Sequence, residues 1–417
     1  MFRLSRRPTC LVRMFAVLLA VGTLVAPVIL RAPQAGAAQK RLLNKGDRVA
    51  IVGDSITEQK QYSRFIEMYL TVCVPELDLR TIQLGCDDET ASGFHRRMNR
   101  DLIPFRPDVV TTCYGMNDGR YQAYNEDIGK SYREPMQAIV ADLKKAGVTV
   151  VVGSPGCVDI DYWPRPSDVY NQTLAHLRDI ARDVAAAEGM PFANIHDEMM
   201  AVMKKAKAAY GRGYHVCGVD GLHPSANGQL IMAYVFLKAM GLDGNIGTIT
   251  IDMAGKATAT DGHTVLSCSG GNVELESVRY PFCLFGDEKS PNSQRSILPF
   301  LPFNNDLNRL MLVVTGLKSA RAKVTWGKAS KTFTRAQLEE GINLSDEFFD
   351  NPFSDTFRKV DGLVAQKQNY ETWLIRESNL AAVTVLKAEL LARYHAVVKA
   401  IRKAFVPVRH KITIETE

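Results

Sequence analysis

The chain has 417 residues, of which 46% are hydrophobic and 23% charged, as is typical of a soluble globular protein with two or three domains. Its formal net charge of +6 is concentrated at one end, because residues 1–38 hold five arginines and no acidic side chain. Without that segment the net charge is about +1, which gives no support for an extended basic surface. We therefore expect no nucleic-acid partner.

Residues 1–38 have the pattern of a secretory signal peptide. Four arginines precede the apolar run Met14–Leu30, and Ala35-Gly36-Ala37-Ala38 offers small residues for cleavage. We expect cleavage there and export to the periplasm or the outside of a bacterium. An uncleaved anchor is the alternative, since a run of this length nearly spans a bilayer, but no later run does. The pair Arg6-Arg7 leaves twin-arginine export open.

Seven cysteines follow the predicted signal, at positions 73, 86, 113, 157, 217, 268 and 283. Export permits disulfides, but the odd number leaves at least one thiol outside any intramolecular pair, and the sequence does not set the pairing. No C-x-x-C pair is present, which argues against a zinc site. We predict neither a metal nor another cofactor.

Short β-rich runs alternate with helical patterns from about residue 46 to residue 243. The predicted strands are Val49–Val52, Leu77–Leu84, Val109–Cys113, Val148–Val152 and Phe192–Ile195, and the predicted helices lie near 61–72, 93–103, 126–146, 170–188, 197–210 and after His223. This alternation is typical of an α/β fold in which helices cover both faces of a parallel sheet. We place this domain at 39–244.

The composition changes beyond Gly244, where we predict an accessory region, 245–417, that is rich in strands and then in helices. Its predicted elements, in chain order, are antiparallel strands within 247–285, one hairpin of Arg309–Gly316 and Ala322–Trp326, mostly helical structure at 336–405 as a long helix or a helical hairpin, and a strand at 408–414. We expect this last strand to return to the β structure of the same region.

The run Gly53-Asp54-Ser55-Ile56-Thr57 puts a serine directly after the first predicted strand, where open α/β sheets hold their chemistry. A serine hydroxyl is a weak nucleophile at neutral pH and needs a base, which in turn needs an orienting group. In Asp220-Gly221-Leu222-His223-Pro224, the aspartate can hold one imidazole nitrogen while the other nitrogen faces Ser55. The alternative for this run is a plain turn with a helix-capping aspartate.

Two further residues follow the next predicted strands and are candidates for stabilising an oxyanion. Gly85 ends the second run and offers its backbone N–H, and Asn117 follows the third and offers its side-chain amide. Ser55, Gly85 and Asn117 are spaced by about 30 residues, which is close to one βαβ unit. We expect them to line up along one sheet edge. Ordinary loop chemistry is the alternative for each.

Together these motifs resemble those of the SGNH or GDSL hydrolases. The resembling blocks, in chain order, are Gly53–Thr57, Leu84-Gly85, Gly115–Asp118 and Asp220–Pro224. The resemblance implies that Ser55 is a nucleophile and that Asp220 and His223 complete a catalytic triad. It also implies that Ser55, Gly85 and Asn117 form an oxyanion hole.

The resemblance covers residues 46–240 and implies a flavodoxin-like, three-layer α/β/α domain with a five-stranded parallel sheet. The second block departs from the common pattern, since Gln83 replaces an asparagine, Asp88 a glycine and Glu89 an aspartate. Gly85 is kept, so the departure bears on the shape of the loop and on substrate preference.

Aromatic side chains cluster in loops that we expect at the rim of this site: Tyr114, Tyr121, Tyr124, Tyr162 and Trp163. Aromatic faces stack on sugar rings or pack against acyl chains. We predict substrate contacts for Tyr114, Tyr162 and Trp163, and for Asp54 beside the serine. Loop packing is the alternative.

The leading hypothesis is an exported serine esterase that works through an acyl-enzyme. The resemblance points to O-acetylated carbohydrate, such as a polysaccharide, as the substrate. A lysophospholipase or thioesterase that uses the same residues is a second hypothesis. A non-catalytic glycan-binding protein of the cell envelope is a third. The sequence does not predict the oligomeric state.

Overall fold

The computed structural model describes residues 41–165, 167–377 and 384–417, so the predicted signal peptide lies outside the described residues. Its first part alternates strands and helices, as expected. These elements are β1 (Arg48–Gly53), α1 (Ser55–Glu58), α2 (Tyr62–Val72), β2 (Arg80–Gln83), α3 (Ala91–Asp101), β3 (Val109–Cys113), α4 (Glu126–Lys145), β4 (Thr149–Gly153), α5 (Val169–Glu188), β5 (Phe192–Ala193), α6 (Ile195–Tyr210) and α7 (Ala226–Ala239).

The first five strands form one parallel sheet in the order β2-β1-β3-β4-β5. In β1, Val49 is in register with Thr81 on one side and with Val109 on the other. This order is that of flavodoxin-like folds, in which ligands bind outside the carboxyl ends of the strands near the point where the strand order reverses. The predicted five-stranded parallel sheet is confirmed, and β2 is one of its edges.

Helices cover both faces of this sheet, because its strands are apolar on both sides. Val49 and Ile51 pack into a core that contains residues of α2, α6 and α7, whereas Ala50 and Val52 pack into a second core with residues of α3 and α4. Successive strand residues point to opposite faces, so this division follows directly from the apolar run. The predicted three-layer arrangement is confirmed.

The second part of the chain begins with four strands and ends with two long helices and a strand. Its elements are β6 (Asn245–Asp252), β7 (Lys256–Ala259), β8 (His263–Ser269), β9 (Asn272–Ser277), α8 (Phe303–Leu307), β10 (Arg309–Thr315), β11 (Arg321–Trp326), β12 (Ala329–Thr334), α9 (Arg335–Glu340), β13 (Ile342–Asn343), α10 (Leu344–Glu347), α11 (Ser354–Glu377), α12 (Thr384–Ala404) and β14 (Val408–Thr416).

Two further sheets organise this part, with orders β13-β10-β6-β7 and β12-β11-β14-β9-β8. The predicted hairpin of Arg309–Gly316 and Ala322–Trp326 is wrong, because β10 and β11 lie in different sheets. Leu312 of β10 is in register with Ile249 of the parallel strand β6, whereas β11 pairs with β12 and β14. The predicted last strand is confirmed, and it lies between β11 and β9.

Helices α11 and α12 pack against each other as a helical hairpin. Of the two predicted forms, a long helix or a helical hairpin, the second is confirmed. Val383, which belongs to the apolar pattern of that prediction, lies outside the described residues. Side chains of the accessory part, such as Ile249 and Trp326, belong to the same buried core as Ile51 of the first sheet. No described helix combines the length and apolarity that crossing a bilayer requires.

Candidate active site

Ser55 opens α1 directly after the central strand β1. The preceding turn is tight, since a Cβ on Gly53 would lie 2.8 Å from the carbonyl oxygen of Cys113. Asp54 caps the helix, and its Oδ1 accepts the Ile56 N–H at 3.0 Å. Burial raises the pKa of Asp54 to about 8. The predicted substrate contact by Asp54 is therefore wrong, because this carboxyl group is buried under the nucleophile turn.

His223 lies between Ser55 and Asp220. Its Nε2 is 2.9 Å from Ser55 Oγ, and its Nδ1 is 2.7 Å from Asp220 Oδ2. Burial acts to raise the pKa of Asp220, but hydrogen bonds from the backbone and side chain of His223 and from the Leu222 N–H lower it overall. An ionised Asp220 accepts Nδ1–H, which leaves Nε2 as the acceptor that faces the Ser55 hydroxyl.

The loop that carries this pair is packed against the segment that follows β4. Gly221 has φ +72°, and a Cβ there would lie 2.4 Å from the Trp163 backbone nitrogen. The Asp159 N–H donates to the Gly221 carbonyl at 2.8 Å. Only glycine combines this left-handed backbone with so close an approach. These contacts fix the conformation of the loop, and in that conformation His223 lies opposite Ser55.

Asn117, in the loop after β3, has a defined carboxamide orientation. Its Nδ2 donates to the backbone carbonyl of Glu89 at 3.0 Å, and its Oδ1 accepts the hydroxyl of Tyr121. A carbonyl oxygen only accepts hydrogen bonds, so the NH₂ end must face Glu89. That bond uses one of the two N–H groups of Asn117.

Asp118 joins the loops that follow β2 and β3. One carboxylate oxygen accepts the Ala91 N–H and the other accepts the Gly115 N–H, each at 3.0 Å. Burial raises the pKa of Asp118 to about 6, although these backbone donors favour the ionised form. The two loops therefore have a fixed relative position, which the position of Asn117 depends on.

Glu89 and Arg97 form a buried pair that the sequence reasoning missed. Arg97 donates to both carboxylate oxygens of Glu89 at 2.6 Å and to the Leu84 carbonyl at 2.6 Å. The Tyr114 hydroxyl donates to Glu89 at 2.8 Å. Glu89 was noticed only as a departure from the family pattern. The available signal was an arginine on the otherwise buried face of α3.

Gly85 packs closely against the turn that begins at Ser55. A Cβ at Gly85 would lie 2.4 Å from the Glu58 backbone nitrogen, so glycine is required for this contact. Its N–H donates to Gln83 Oε1 at 3.2 Å. An oxyanion would have to replace Gln83 as the acceptor of this N–H, and the role of Gly85 stays a prediction.

The aromatic residues predicted at the rim divide into two groups. Tyr114 is fully buried and stacks on Phe94 with ring centroids 5.6 Å apart, so the predicted substrate contact is wrong. Tyr162 and Trp163 are half-buried near the loop of His223. The Tyr162 hydroxyl donates to the Gly213 carbonyl at 2.6 Å, and Lys207 Nζ lies over its ring, 5.6 Å from the centroid. Their role in substrate binding stays a prediction.

Among the described residues, no group of three or more His, Cys, Asp or Glu side chains is arranged to hold a metal ion. Cys157 and Cys217 are both free thiols, and their sulfur atoms lie 3.7 Å apart in the buried core below the His223 loop.

The chain is similar to known proteins over this same region. Residues 51–231 match the model of the GDSL-like lipase/acylhydrolase family. An acetylxylan esterase from Geobacillus stearothermophilus is 21% identical over 223 residues, which cover 48% of this chain and 97% of that protein. The solved structure of a gut microbial diltiazem-metabolizing enzyme is 21% identical and superposes with a TM-score of 0.75, covering 92% of this chain and 100% of that one. The likeness to this solved structure shows that the two proteins share a fold, including the accessory part.

Proposed function

Since the chain belongs to the SGNH/GDSL family of ester hydrolases, we propose that it is an exported esterase whose catalytic triad is Ser55, His223 and Asp220. The observation that carries the proposal is the continuous hydrogen-bonded chain from Ser55 Oγ through His223 to Asp220, with distances of 2.9 and 2.7 Å. The first distance lies in the range at which a base takes a proton from a nucleophile, and the second is a hydrogen bond through which a carboxylate orients that base.

In the proposed reaction, His223 Nε2 accepts the proton of Ser55 as Oγ forms a bond to the ester carbonyl carbon. The tetrahedral intermediate collapses when the bond to the leaving alcohol breaks, and His223 donates its proton to that alcohol. A water molecule, deprotonated by the same nitrogen, then attacks the acyl-enzyme. The carboxylic acid leaves and Ser55 recovers its proton.

The oxyanion of each tetrahedral intermediate needs donors that already point toward it. We assign this role to the Asn117 side-chain N–H that does not bind Glu89, to the Ser55 backbone N–H, and to Gly85 once substrate replaces Gln83. One such donor is worth about 3–4 kcal/mol of transition-state stabilisation.

For the substrate we propose an O-acetylated carbohydrate, as the name of the acetylxylan esterase relative suggests. The triad is open to solvent, with 30% of the His223 side chain and 52% of the Asp220 side chain exposed. An open site suits a bulky, polar alcohol portion such as a polysaccharide. Tyr162 and Trp163 are half-buried, and a sugar could stack on the ring faces opposite Lys207 and Tyr170, respectively.

The test compares the wild type with Ser55→Ala on nitrophenyl acetate and on acetylated xylan, with acetate release as the measurement. Ser92→Ala, in α3, is the matched control. We expect Ser55→Ala to lose activity by at least about a thousandfold, and Ser92→Ala to keep it. Rates that rise from acetyl to octanoyl esters would instead favour a lysophospholipase or thioesterase.

A further inference from the structure

The accessory helix α11 covers the free edge of β2. An edge strand presents N–H and C=O groups that have no partner within the sheet. Two α11 side chains, four residues apart, bind these groups. Lys367 Nζ donates to the Thr81 carbonyl at 2.9 Å, and the Gln83 N–H donates to Glu371 Oε2 at 3.0 Å. Residues three or four apart share one face of a helix, so α11 supplies partners for one carbonyl and one N–H of this edge.

The side chains that make these contacts are buried and charged. Lys367 forms ion pairs with Glu67 of α2 at 2.9 Å and with Glu371 at 2.6 Å. All three residues are at most 4% exposed. Gln368 adds a hydrogen bond to Glu67 at 2.8 Å. A buried ion pair contributes little net stability compared with apolar side chains of similar volume. The buried cluster is therefore weak evidence for a stabilising role, and a role in positioning β2 accounts for it better.

Gln83 connects this cluster to the nucleophile turn. Its backbone N–H binds Glu371, while its side-chain Nε2 donates to the Thr57 carbonyl at 3.1 Å and its Oε1 accepts the Gly85 N–H. Thr57 lies two residues after Ser55 in α1. A continuous set of hydrogen bonds therefore runs from α11, through the end of β2, to the turn that holds the serine.

We propose that Glu371 is a positioning residue of the esterase, contributed by the accessory region. Its carboxylate fixes the carboxyl end of β2, and Gln83 transmits that position to α1 through its bond to the Thr57 carbonyl, which remains when substrate takes the Gly85 N–H. This inference rests on the proposed function, since it assumes that Ser55 is the nucleophile. It gives the region 245–417 a direct part in holding the catalytic edge of the sheet.

The test compares Glu371→Gln with Glu371→Leu. Both variants lose the negative charge beside Lys367, but glutamine keeps an oxygen that accepts the Gln83 N–H. We expect Glu371→Leu to lower kcat for nitrophenyl acetate about tenfold with KM within about twofold, because misplaced reacting groups lower the rate of the chemical step. Glu371→Gln should restore kcat to within about threefold of the wild type.

Two further variants keep the test decisive. Asp361→Asn removes an α11–α2 ion pair, Arg64–Asp361 at 3.1 Å, that does not touch β2. It should lower thermal stability while kcat stays unchanged. If Glu371→Leu fails to fold, the triple variant Glu67→Gln, Lys367→Met, Glu371→Leu removes all three buried charges together, so that no ion is left without its partner. It should fold and show the same loss of kcat.

A wild-type kcat in folded Glu371→Leu or in the triple variant would overturn the proposal. Equal losses in Glu371→Leu and Glu371→Gln would also overturn it, because charge rather than the Gln83 contact would then be responsible. Wild type and Ser55→Ala are assayed alongside. If the wild type is inactive or Ser55→Ala is active, the proposed function has failed, and this outcome is distinct from an effect confined to Glu371.

Discussion

The hydroxyl of Tyr121 donates to Oδ1 of Asn117 and so fixes the carboxamide that we assign to the oxyanion hole. Burial raises the pKa of Tyr121 to about 12, which keeps the phenol protonated as a donor. Its backbone has φ +55° and follows Arg120 at φ +54°. Such left-handed residues cost about 1–2 kcal/mol each and often occur at functional sites. The ring packs 5.7 Å from Trp163.

Tyr121→Phe tests this relationship because it keeps the ring and removes only the donor. We expect kcat on nitrophenyl acetate to fall about tenfold with KM unchanged, since Asn117 would lose its fixed orientation. Trp163→Phe is a useful comparison, because it alters packing and leaves the hydrogen bond. A Tyr121→Phe enzyme with wild-type kcat would show that Asn117 needs no such support.

Asn117→Ala removes the proposed donor itself. The expected loss of kcat is about 10²–10³-fold, the effect of deleting one oxyanion donor. Steady-state kinetics on short-chain esters measure this loss, and circular dichroism checks the fold. A folded Asn117→Ala protein with unchanged kcat would remove Asn117 from the mechanism.

Arg97→Met leaves the Glu89 carboxylate buried without its two charged hydrogen bonds. We expect the free energy of unfolding to fall by about 3–5 kcal/mol, the usual consequence of removing one partner of a buried ion pair. Urea denaturation of purified protein gives this value. Arg96→Met, which changes an exposed arginine of the same helix, should change it by less than about 1 kcal/mol.

A hydrogen-bonded chain of buried side chains in the accessory part predicts a pH-dependent stability. The Trp326 indole N–H donates to His410 Nδ1 at 3.1 Å, and His410 Nε2 is 2.9 Å from Ser277 Oγ. Ser277 is 2.8 Å from His263 Nδ1, and His263 Nε2 is 3.1 Å from the Ile246 carbonyl. An indole only donates, so the donors run in one direction and both imidazoles are neutral.

Burial lowers the pKa of His410 to about 3 and lowers that of His263 as well. Below the ordinary pKa of about 6.5, the unfolded chain therefore binds protons that the folded protein does not. The contribution of these neutral histidines to the free energy of unfolding is fully present above that pH. It is lost as the pH falls from about 6.5 toward 3, by up to about 1.4 kcal/mol per pH unit for His410 alone.

His410→Phe removes this titration, so the free energy of unfolding should depend less steeply on pH between about 6 and 4, by about 1.4 kcal/mol per unit. Urea denaturation at several pH values measures the slope. His395→Asn, at an exposed site on α12, should leave the slope unchanged. Equal slopes in wild type and His410→Phe would contradict the assigned neutral state.

The parts of the fold that depend on local pattern could be predicted from the sequence. The apolar run of β1 and the alternation with helices were sufficient for the parallel sheet, because each strand pairs with neighbours set by βαβ connections. The hairpin at Arg309–Gly316 failed because β10 pairs with β6, which is distant in the sequence. The choice of a strand partner depends on tertiary packing, which local alternation does not contain.

The site shows the same division. His223 and Asp220 lie in one loop, three residues apart, and Ser55 follows a strand. Residue type and spacing were therefore enough to predict these three residues as a triad. The sequence predicts substrate contacts for Tyr114, in a rim loop, and for Asp54, beside the serine, yet both side chains turn inward, and sequence position does not show the direction of a side chain. Arg97 on the apolar face of α3 indicates a buried charge, but the sequence does not show that its partner is Glu89, because that contact depends on how the loop before α3 folds back on the helix.

The most direct test of the central claim is to label the protein with a fluorophosphonate and to identify the modified residue by peptide mass spectrometry. The account predicts one adduct per chain, on Ser55, with hydrolysis lost in proportion to labelling and no adduct on Ser55→Ala. An adduct on another residue that abolishes activity, or full activity with Ser55 completely modified, would contradict it.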